Sequence, residues 1–387
     1  YITPQSHDSF SKAGAAHILA VSGLHVGIIA MIIWCVLFPL DYYGFRRLRL
    51  LITIAFIALY AVFTGLSPSV VRASIMTTFT FAEFLLFRRN TSLNALFVAA
   101  LIILVFSPFS LFEVGFQLSF CTVAAILLIV PKLREIVNPK NRILNYILSS
   151  IWVSLAAMIS TSAITAYYFH SIPLLAFVTN LIILPALPVI MVVYIIYVVI
   201  LIAFGEFSIF TAAIDGSYQV IYHIVSFVSG LGISHIDSVY ISLANTFIYL
   251  AMVAVFCLWL YFRRRHLIYI MASLAAAMVI IAAQHIIFVP PQGLFILNDF
   301  RCTPVFYFHQ HKGYLWVLDE EPDAYEFESR HKGMLAYYGI SHIDVISADT
   351  VNIVDGSKII SPFASIAAKN MVIINDNKWK KIRFNNP

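Results

Sequence analysis

Long apolar runs, separated by short charged or proline-containing stretches, cover the chain as far as residue 289. The first run, 13–40, has 28 residues and no formally charged side chain. About 20 apolar residues are enough to cross a bilayer as a helix. The pattern predicts a polytopic α-helical membrane protein with about ten transmembrane helices, at 13–40, 50–64, 72–87, 94–106, a run ending at 130, 143–168, 174–204, 217–233, 243–262 and 267–288.

Two of these runs leave alternatives open. The run 174–204 is too long for one straight crossing and contains Pro185 and Pro188, so it is expected either to tilt and kink or to be broken. A break would have to be shielded by neighbouring helices, because lipid cannot replace a lost backbone hydrogen bond. The run 217–233 carries several polar side chains, and it either crosses the membrane or lies at its surface.

Charge divides the chain into a membrane region and a tail. Only 11% of all residues are charged, against about 25% in soluble globular proteins. Residues 1–289 hold 14 Lys/Arg and 8 Asp/Glu, whereas residues 290–387 hold 10 and 11. We therefore predict an extracytoplasmic segment at 1–12, a transmembrane domain at 13–289 and an extracytoplasmic soluble domain at 290–387.

The basic residues also predict the orientation. If the first run ends in the cytoplasm, 12 of the 14 basic residues before the tail lie in cytoplasmic loops, as positive loops generally do. The exceptions are Lys12 and Arg72. The three arginines at 263–265 fit this scheme only if 217–233 crosses the membrane. Both ends of the chain are then extracytoplasmic.

Short β-branched and aromatic runs in the tail predict a small β-rich, α+β domain with one helix near 324–338. The four cysteines indicate neither a disulfide framework nor a metal site. His309 and His311 have metal-ligand spacing, but the HxHxDH pattern of a binuclear hydrolase is absent. No metal, cofactor or nuclease activity is predicted.

Polar residues in the first run are the main candidates for function. His17, Ser22 and His25 surround Gly23, and strongly polar groups at membrane depth are costly without a partner. They either form hydrogen bonds between helices, or line a polar path at a helix break. A Ser/His hydrolase is disfavoured because no G-x-S-x-G turn is present.

Two further positions have competing interpretations. Arg72 either reaches the outer membrane surface or pairs with a charged ligand, and the same alternatives apply to Glu83. Glu113 and Gln117 flank Gly115, and either helix capping or a functional role explains them.

Four ordered segments, at 13–29, 59–76, 107–120 and 168–185, resemble the ComEC family of competence proteins. The resemblance implies a channel that carries one DNA strand across the bacterial cytoplasmic membrane during natural transformation. It implies single-stranded DNA and the lipid bilayer as partners, together with extracytoplasmic DNA-binding and cytoplasmic DNA-translocating competence proteins. The residues at its motif positions, assigned to the channel, are His17, Ser22, Gly23, His25, Arg72, Gln117, Ser119 and Asn180.

The chain departs from this family at both ends. The N-terminal OB-like module is expected to be missing ahead of Tyr1, and the tail resembles a shortened metallo-β-lactamase-like domain without its metal ligands. A polar conduit suits the channel, because conduction needs weak binding at several sites. The alternative is a transporter of a small or lipid-linked substrate, with its site at the kinked 174–204 segment.

Overall fold

The computed structural model describes most of the membrane region and part of the tail. The described residues are 9–15, 23–86, 92–137, 139–205, 208–297, 305–309, 311–316, 324–340, 342–346, 352–354, 358–360, 370–375 and 378–383. They divide into two compact units. The first consists of residues 1–168, 172–236 and 249–274, and the second of 169–171, 237–248 and 275–387.

Helices dominate the described residues up to Phe288. They are α1 Gly23–Val36, α2 Pro39–Tyr42, α3 Arg46–Phe63, α4 Pro68–Leu86, α5 Ser92–Phe106, α6 Val114–Ile136, α7 Arg142–Phe169, α8 Ala176–Phe204, α9 Ser208–Ser229, α10 Leu243–Phe262 and α11 Arg265–Phe288. A 3-10 turn, Pro108–Phe112, precedes α6.

Five of the described helices are long and apolar enough to cross a membrane: α6, α7, α8, α10 and α11. The shorter helices α1 and α5 are also apolar. A mostly helical chain is therefore confirmed, and five of its described helices are candidates for crossing a membrane. Ten crossings stay a prediction, since α3, α4 and α9 do not meet the same criteria.

The apolar run 13–40 is not one continuous helix, which agrees with the alternative of a helix break. Residues 9–12 are helical, and the chain then turns at Gly14, whose φ of +72° lies in the left-handed region that glycine adopts without strain. The helix α1 covers only 14 residues and is followed by a turn before Pro39. The first apolar run therefore contains separate helical pieces.

Three apolar clusters hold the first unit together. Val26, Ile57 and Val70 pack α1, α3 and α4 against one another. A second cluster joins α6, α7 and α10, and a third joins residues 10–15 to α8 and α9. Phe10 is 2% exposed in this third cluster, so the N-terminal segment is packed between helices.

The strand pair β1 (Ile172–Pro173) and β2 (His235–Ile236) brackets α8 and α9. Ile172 pairs with Ile236 in antiparallel register, and Leu174 donates a backbone hydrogen bond of 2.8 Å to Ser234. The helix α8 continues through Pro185 and Pro188 without a break, which excludes the broken form of 174–204. The chain therefore leaves this strand pair along α8 and returns to it after α9.

Tyr249 links α7 to α10 through two hydrogen bonds. Its hydroxyl donates to the Ile159 carbonyl at 2.9 Å and accepts from the Ser162 hydroxyl at 2.9 Å. Buried polar groups in lipid need such internal partners, because the hydrocarbon offers none. These two hydrogen bonds fix the position of α10 along the axis of α7.

The tail contains a mixed sheet. Its strands are β3 Gln292–Leu297, β4 Val305–His309, β5 Lys312–Trp316, β6 His342–Ile346, β9 Asn370–Asn375 and β10 Lys378–Arg383, in the order β10-β9-β3-β4-β5-β6. The strands β7 Asn352–Val354 and β8 Lys358–Ile360 form a separate pair. The helix α12, Ala324–Tyr338, connects β5 to the parallel strand β6 and has a kink at His331.

Aromatic rings packed over glycines form the core on one face of this sheet. Phe306 and Phe308 of β4 pack with Leu315 and with Leu335 of α12. A methyl group on Gly293, the cross-strand partner of Phe308, would lie 2.6 Å from that ring. Glycine is therefore required there, because the aromatic side chain occupies the space of the missing Cβ.

Candidate functional site

Arg72 is a buried cation near the start of α4. Its exposed fraction is 3%. The preceding turn contains Gly65 and Leu66 in left-handed conformations, and the backbone amides of Val70 and Val71 donate to the Ser67 carbonyl. This turn starts α4 at Pro68, so that Arg72 lies in the second turn of the helix.

The guanidinium of Arg72 lies against the first turn of α6, where Gly115 leaves room for it. A methyl group built on Gly115 would lie 3.7 Å from Nη1 and 3.8 Å from Nη2 of Arg72. These are ordinary van der Waals distances, so a single methyl group fits beside the guanidinium. Gly115 therefore sets the width of the space beside the guanidinium.

The Arg72 guanidinium has unused hydrogen-bond donors. Nε and Nη1 are both buried and have no hydrogen-bond partner. The Glu113 carboxylate attracts the guanidinium, but Arg72 forms no ion pair within the described part of the chain. Arginine does not lose its proton in proteins, and a buried charge without a partner costs several kcal/mol. An anion at this position would remove that cost.

The N-terminus of α6 adds a partial positive charge beside the Arg72 guanidinium. Glu113 occupies the N-cap position, yet its side chain forms no capping hydrogen bond, and the first turn holds no acidic residue. A helix N-terminus carries about half a positive charge from its free amide groups. The Arg72 guanidinium and this helix end together favour a negatively charged ligand.

Gln117 and Ser110 fix the approach to α6. Nε2 of Gln117 donates to the Leu111 carbonyl at 3.1 Å, and the Ser110 hydroxyl donates to the Ser107 hydroxyl at 3.0 Å and to the Glu113 carboxylate at 3.3 Å. Gln117 therefore ties α6 to the preceding 3-10 turn. Helix capping by the Glu113 side chain, one of the two alternatives from the sequence, is not what the structure shows.

Ser119 lies one turn beyond Gly115 on α6. Residues four positions apart share a helix face, so the half-buried Ser119 hydroxyl continues the face that Arg72 contacts. This places one further polar group along the same side of α6.

The helix α1 meets α4 beside Arg72. A methyl group on Gly23 would lie 3.3 Å from Cβ of Ala73, the residue that follows Arg72. Gly23 therefore provides a close contact between the two helices. His25 is half-buried two residues further along α1, while His17 and Ser22 lie outside the described residues.

The starts of α1, α4 and α6 thus come together. These helices correspond to the first, third and fifth runs of the sequence, and alternating crossings would start all three on the same side of a membrane. The contacts of Gly23 with Ala73 and of Gly115 with Arg72 agree with that alternation.

Asn180 belongs to a separate part of the first unit. It lies in α8, is half-buried, and its Oδ1 atom is buried without a hydrogen-bond partner. The neighbouring Thr179 is buried, and its hydroxyl bonds to the Leu175 carbonyl at 3.4 Å. The structure places no described candidate residue in hydrogen-bond contact with Asn180.

Sequence reasoning missed the role of Arg49, which it assigned to a charged loop. Arg49 lies in α3, is 3% exposed, and forms an ion pair with Asp41. Its Nε donates to the Trp34 carbonyl at 2.9 Å, and the guanidinium lies 3.9 Å from the centroid of the Trp34 ring. A carboxylate eight positions before an arginine was the only signal in the sequence.

The described residues contain no group of three His, Cys, Asp or Glu side chains placed to hold a metal ion. His309 ends β4, and His311 lies in the turn that leads to β5.

Comparison with known proteins identifies relatives of the membrane region. A family model described as Competence protein matches residues 1–264. The chain is 30% identical over 186 residues to ComE operon protein 3 of Bacillus subtilis (strain 168), covering 48% of this chain and 23% of that protein. It is 31% identical over 173 residues to an uncharacterized protein of Aquifex aeolicus (strain VF5), covering 45% of this chain and 38% of that protein. The chain thus spans less than two fifths of either relative, and no solved structure matches it.

Proposed function

We propose that this chain, which belongs to the competence protein family, carries single-stranded DNA across the bacterial cytoplasmic membrane during DNA uptake. The observation that carries the proposal is the buried Arg72 guanidinium, whose Nε and Nη1 have no partner in the protein. A DNA strand presents one phosphate charge per nucleotide, and proteins bind it through cations that line a groove. Arg72 supplies such a cation between helices.

The proposed path begins where α1, α4 and α6 start and follows the Gly115–Ser119 face of α6. His17, Ser22 and His25 are proposed to line it from the first apolar run, and Gln117 to hold the start of α6 in position. Weak binding at several such polar positions would let phosphates pass without being trapped. Asn180 on α8 is proposed as a further polar position.

Ten crossings are part of the proposal. The β1–β2 pair supports the crossing by α9, which the sequence left undecided. The helix α8 has 29 residues and is therefore about 44 Å long. Because β2 pairs with β1, α9 must return the chain to the side that α8 left. If α8 crosses the membrane, α9 crosses it in the opposite direction.

We propose that residues 1–12 and the domain 290–387 are extracytoplasmic and that 13–289 form the channel domain. The second unit supports this arrangement, since it combines the tail with the end of α7, the start of α10 and the end of α11. Alternating crossings put all three of these helix ends on the outer side. A membrane-impermeant thiol reagent should then label Cys302 on intact cells, whereas labelling only after permeabilisation would contradict the orientation.

The proposed partners are single-stranded DNA, the bilayer, and the extracytoplasmic DNA-binding and cytoplasmic DNA-translocating proteins of the uptake machinery. Transport, not nuclease action, is the proposed activity. The alternative of a small or lipid-linked substrate relied on half-helices in 174–204, and α8 is continuous there.

A deletion strain tests the proposal. Loss of the gene should abolish entry of labelled DNA into the cytoplasm, and the wild-type gene should restore it. The matched pair Arg72→Gln and Arg47→Gln should then separate, because Arg72 is buried and Arg47 is exposed. Normal DNA entry in the deletion strain would refute the function.

A further inference from the structure

The Arg72 guanidinium and the N-terminus of α6 meet beside Gly115, and no described carboxylate forms an ion pair with Arg72. The guanidinium of Arg72 lies against the first turn of α6, and that turn has no acidic residue and no side-chain cap. The nearby Glu113 side chain is exposed and accepts a hydrogen bond from Ser110. The protein therefore leaves a positive site that a ligand can complete.

We propose that Arg72 and the first turn of α6 form an oxyanion-binding site that takes one phosphate group. Nε and Nη1 of Arg72 are buried donors without acceptors, and arginine donates to phosphate oxygens more strongly than to neutral acceptors. The free amide groups at a helix N-terminus bind the same kind of anion. That this phosphate is a phosphodiester of a DNA strand rests on the proposed function, whereas the oxyanion site itself does not.

Gly115 controls access to this site. Its missing side chain leaves the space through which the ligand reaches the guanidinium. A methyl group there keeps ordinary contact distances of 3.7 and 3.8 Å from the Arg72 nitrogens. Alanine should therefore be tolerated, while valine would fill the space that a phosphate oxygen needs. A side chain larger than a methyl group at position 115 should therefore keep the phosphate from the guanidinium.

Binding of a fluorescent single-stranded oligothymidylate to the full purified chain in detergent tests the site. The Arg72→Gln variant should lose at least about tenfold in affinity, because it removes a charge-assisted hydrogen bond. The Arg47→Gln control removes an exposed charge of the same sign and should stay within about twofold. Inorganic phosphate should compete with the oligonucleotide on the wild-type chain and not on Arg72→Gln.

The glycine variants keep the test decisive if Arg72→Gln fails to fold. Gly115→Val should weaken binding by about tenfold or more with Arg72 intact, and Gly115→Ala should change it by less than about threefold. Gly27→Val is the matched control, because Gly27 lies in a helix with no atom within 4 Å of an added Cβ. Equal binding by Gly115→Val and the wild type would overturn the proposed site.

A separate experiment distinguishes a DNA phosphate from a lipid headgroup. In nanodiscs of a neutral lipid, binding of the oligonucleotide should match that in detergent. If adding an anionic phospholipid abolishes it in the wild type, the site holds a lipid headgroup and the assignment to DNA is wrong. If Gly115→Val loses oligonucleotide binding in vitro while cells import DNA normally, the oxyanion site stands and its use in transport is refuted.

Discussion

The buried ion pair between Arg49 and Asp41 allows a quantitative test of how α1, α2 and α3 are held together. Arg49 of α3 contacts both of the other helices. Its guanidinium bonds to the Trp34 carbonyl, near the end of α1, and to the Asp41 carboxylate of α2. The last four carbonyls of a helix have no partner within the helix, so Arg49 satisfies one of them with a cation at the negative end of the helix dipole.

Asp41→Ala should destabilise the chain by leaving the Arg49 charge buried. Breaking a fully buried pair costs about 3–5 kcal/mol. The side chain of Arg49 is 4% exposed, but that of Asp41 is 26% exposed, so solvent screening lowers the expected cost to about 2 kcal/mol. Arg49→Met should cost about 2–3 kcal/mol through the lost hydrogen bonds and the lost contact with the Trp34 ring.

The double variant Asp41→Ala/Arg49→Met separates the pair from its surroundings. Because the double variant leaves no unpaired buried charge, its free energy of unfolding should fall by only about 3 kcal/mol. This is less than the sum of the decreases in the two single variants. The assay is SDS-induced unfolding of the full chain in a mild detergent, followed by circular dichroism. Arg47→Met, at an exposed position of the same helix, should stay within about 0.5 kcal/mol.

Strict additivity would refute this reasoning. If the double variant loses the full sum of the two single effects, Arg49 and Asp41 do not interact in the folded chain. If Asp41→Ala alone is neutral, the Arg49 charge is stabilised by the Trp34 carbonyl and ring without the carboxylate.

Three further variants test other contacts. Tyr249→Phe removes the hydroxyl between α7 and α10. It should lower the free energy of unfolding by about 1 kcal/mol, measured by the same SDS assay, and an unchanged value would contradict the hydrogen bonds of this hydroxyl. Gly293→Ala places a methyl group 2.6 Å from the Phe308 ring and should expose the tail to proteolysis at lower temperature, whereas wild-type protease resistance would show that the ring moves freely. Burial and the neighbouring Tyr337 raise the pKa of Tyr338 to about 12, so the fold keeps this phenol neutral and its stability should fall as the pH rises above about 10. The difference in phenolate absorbance between the wild type and Tyr338→Phe should appear near pH 12, and a difference centred near pH 10 would contradict the burial.

Periodicity and charge predicted the positions of the helices better than their ends. The nine apolar runs after the first each correspond to one helix, because apolar length is a property of each segment alone. The ends of the helical pieces in the run 13–40 were not predicted, since the left-handed Gly14 and the turn before Pro39 depend on packing that a hydropathy pattern does not contain. The continuity of α8 through Pro185 and Pro188 was likewise undecided, because neighbouring groups can replace the hydrogen bonds that proline removes.

The candidate site was predicted only in part for a similar reason. Arg72 stood out as a cation within an apolar run, but its burial against Gly115 is a contact between residues 43 positions apart. Arg49 was assigned to a loop because its neighbours in the sequence are basic, although its partners are Asp41 and Trp34. Pairing across helices decides whether a cation is free or satisfied, and a single sequence does not specify that pairing.

The measurement that tests the central claim most directly is the protection of Ser119→Cys by DNA. With the native cysteines other than Cys121 replaced by serine, the Ser119→Cys thiol lies on the α6 face that Arg72 contacts. Cys121 lies about 200° around the same helix and serves as the internal control. Single-stranded DNA should slow labelling of the Ser119→Cys thiol by a water-soluble maleimide severalfold and leave Cys121 unchanged. Equal labelling of the Ser119→Cys thiol with and without DNA, in a variant that still imports DNA, would show that the strand does not pass along this face.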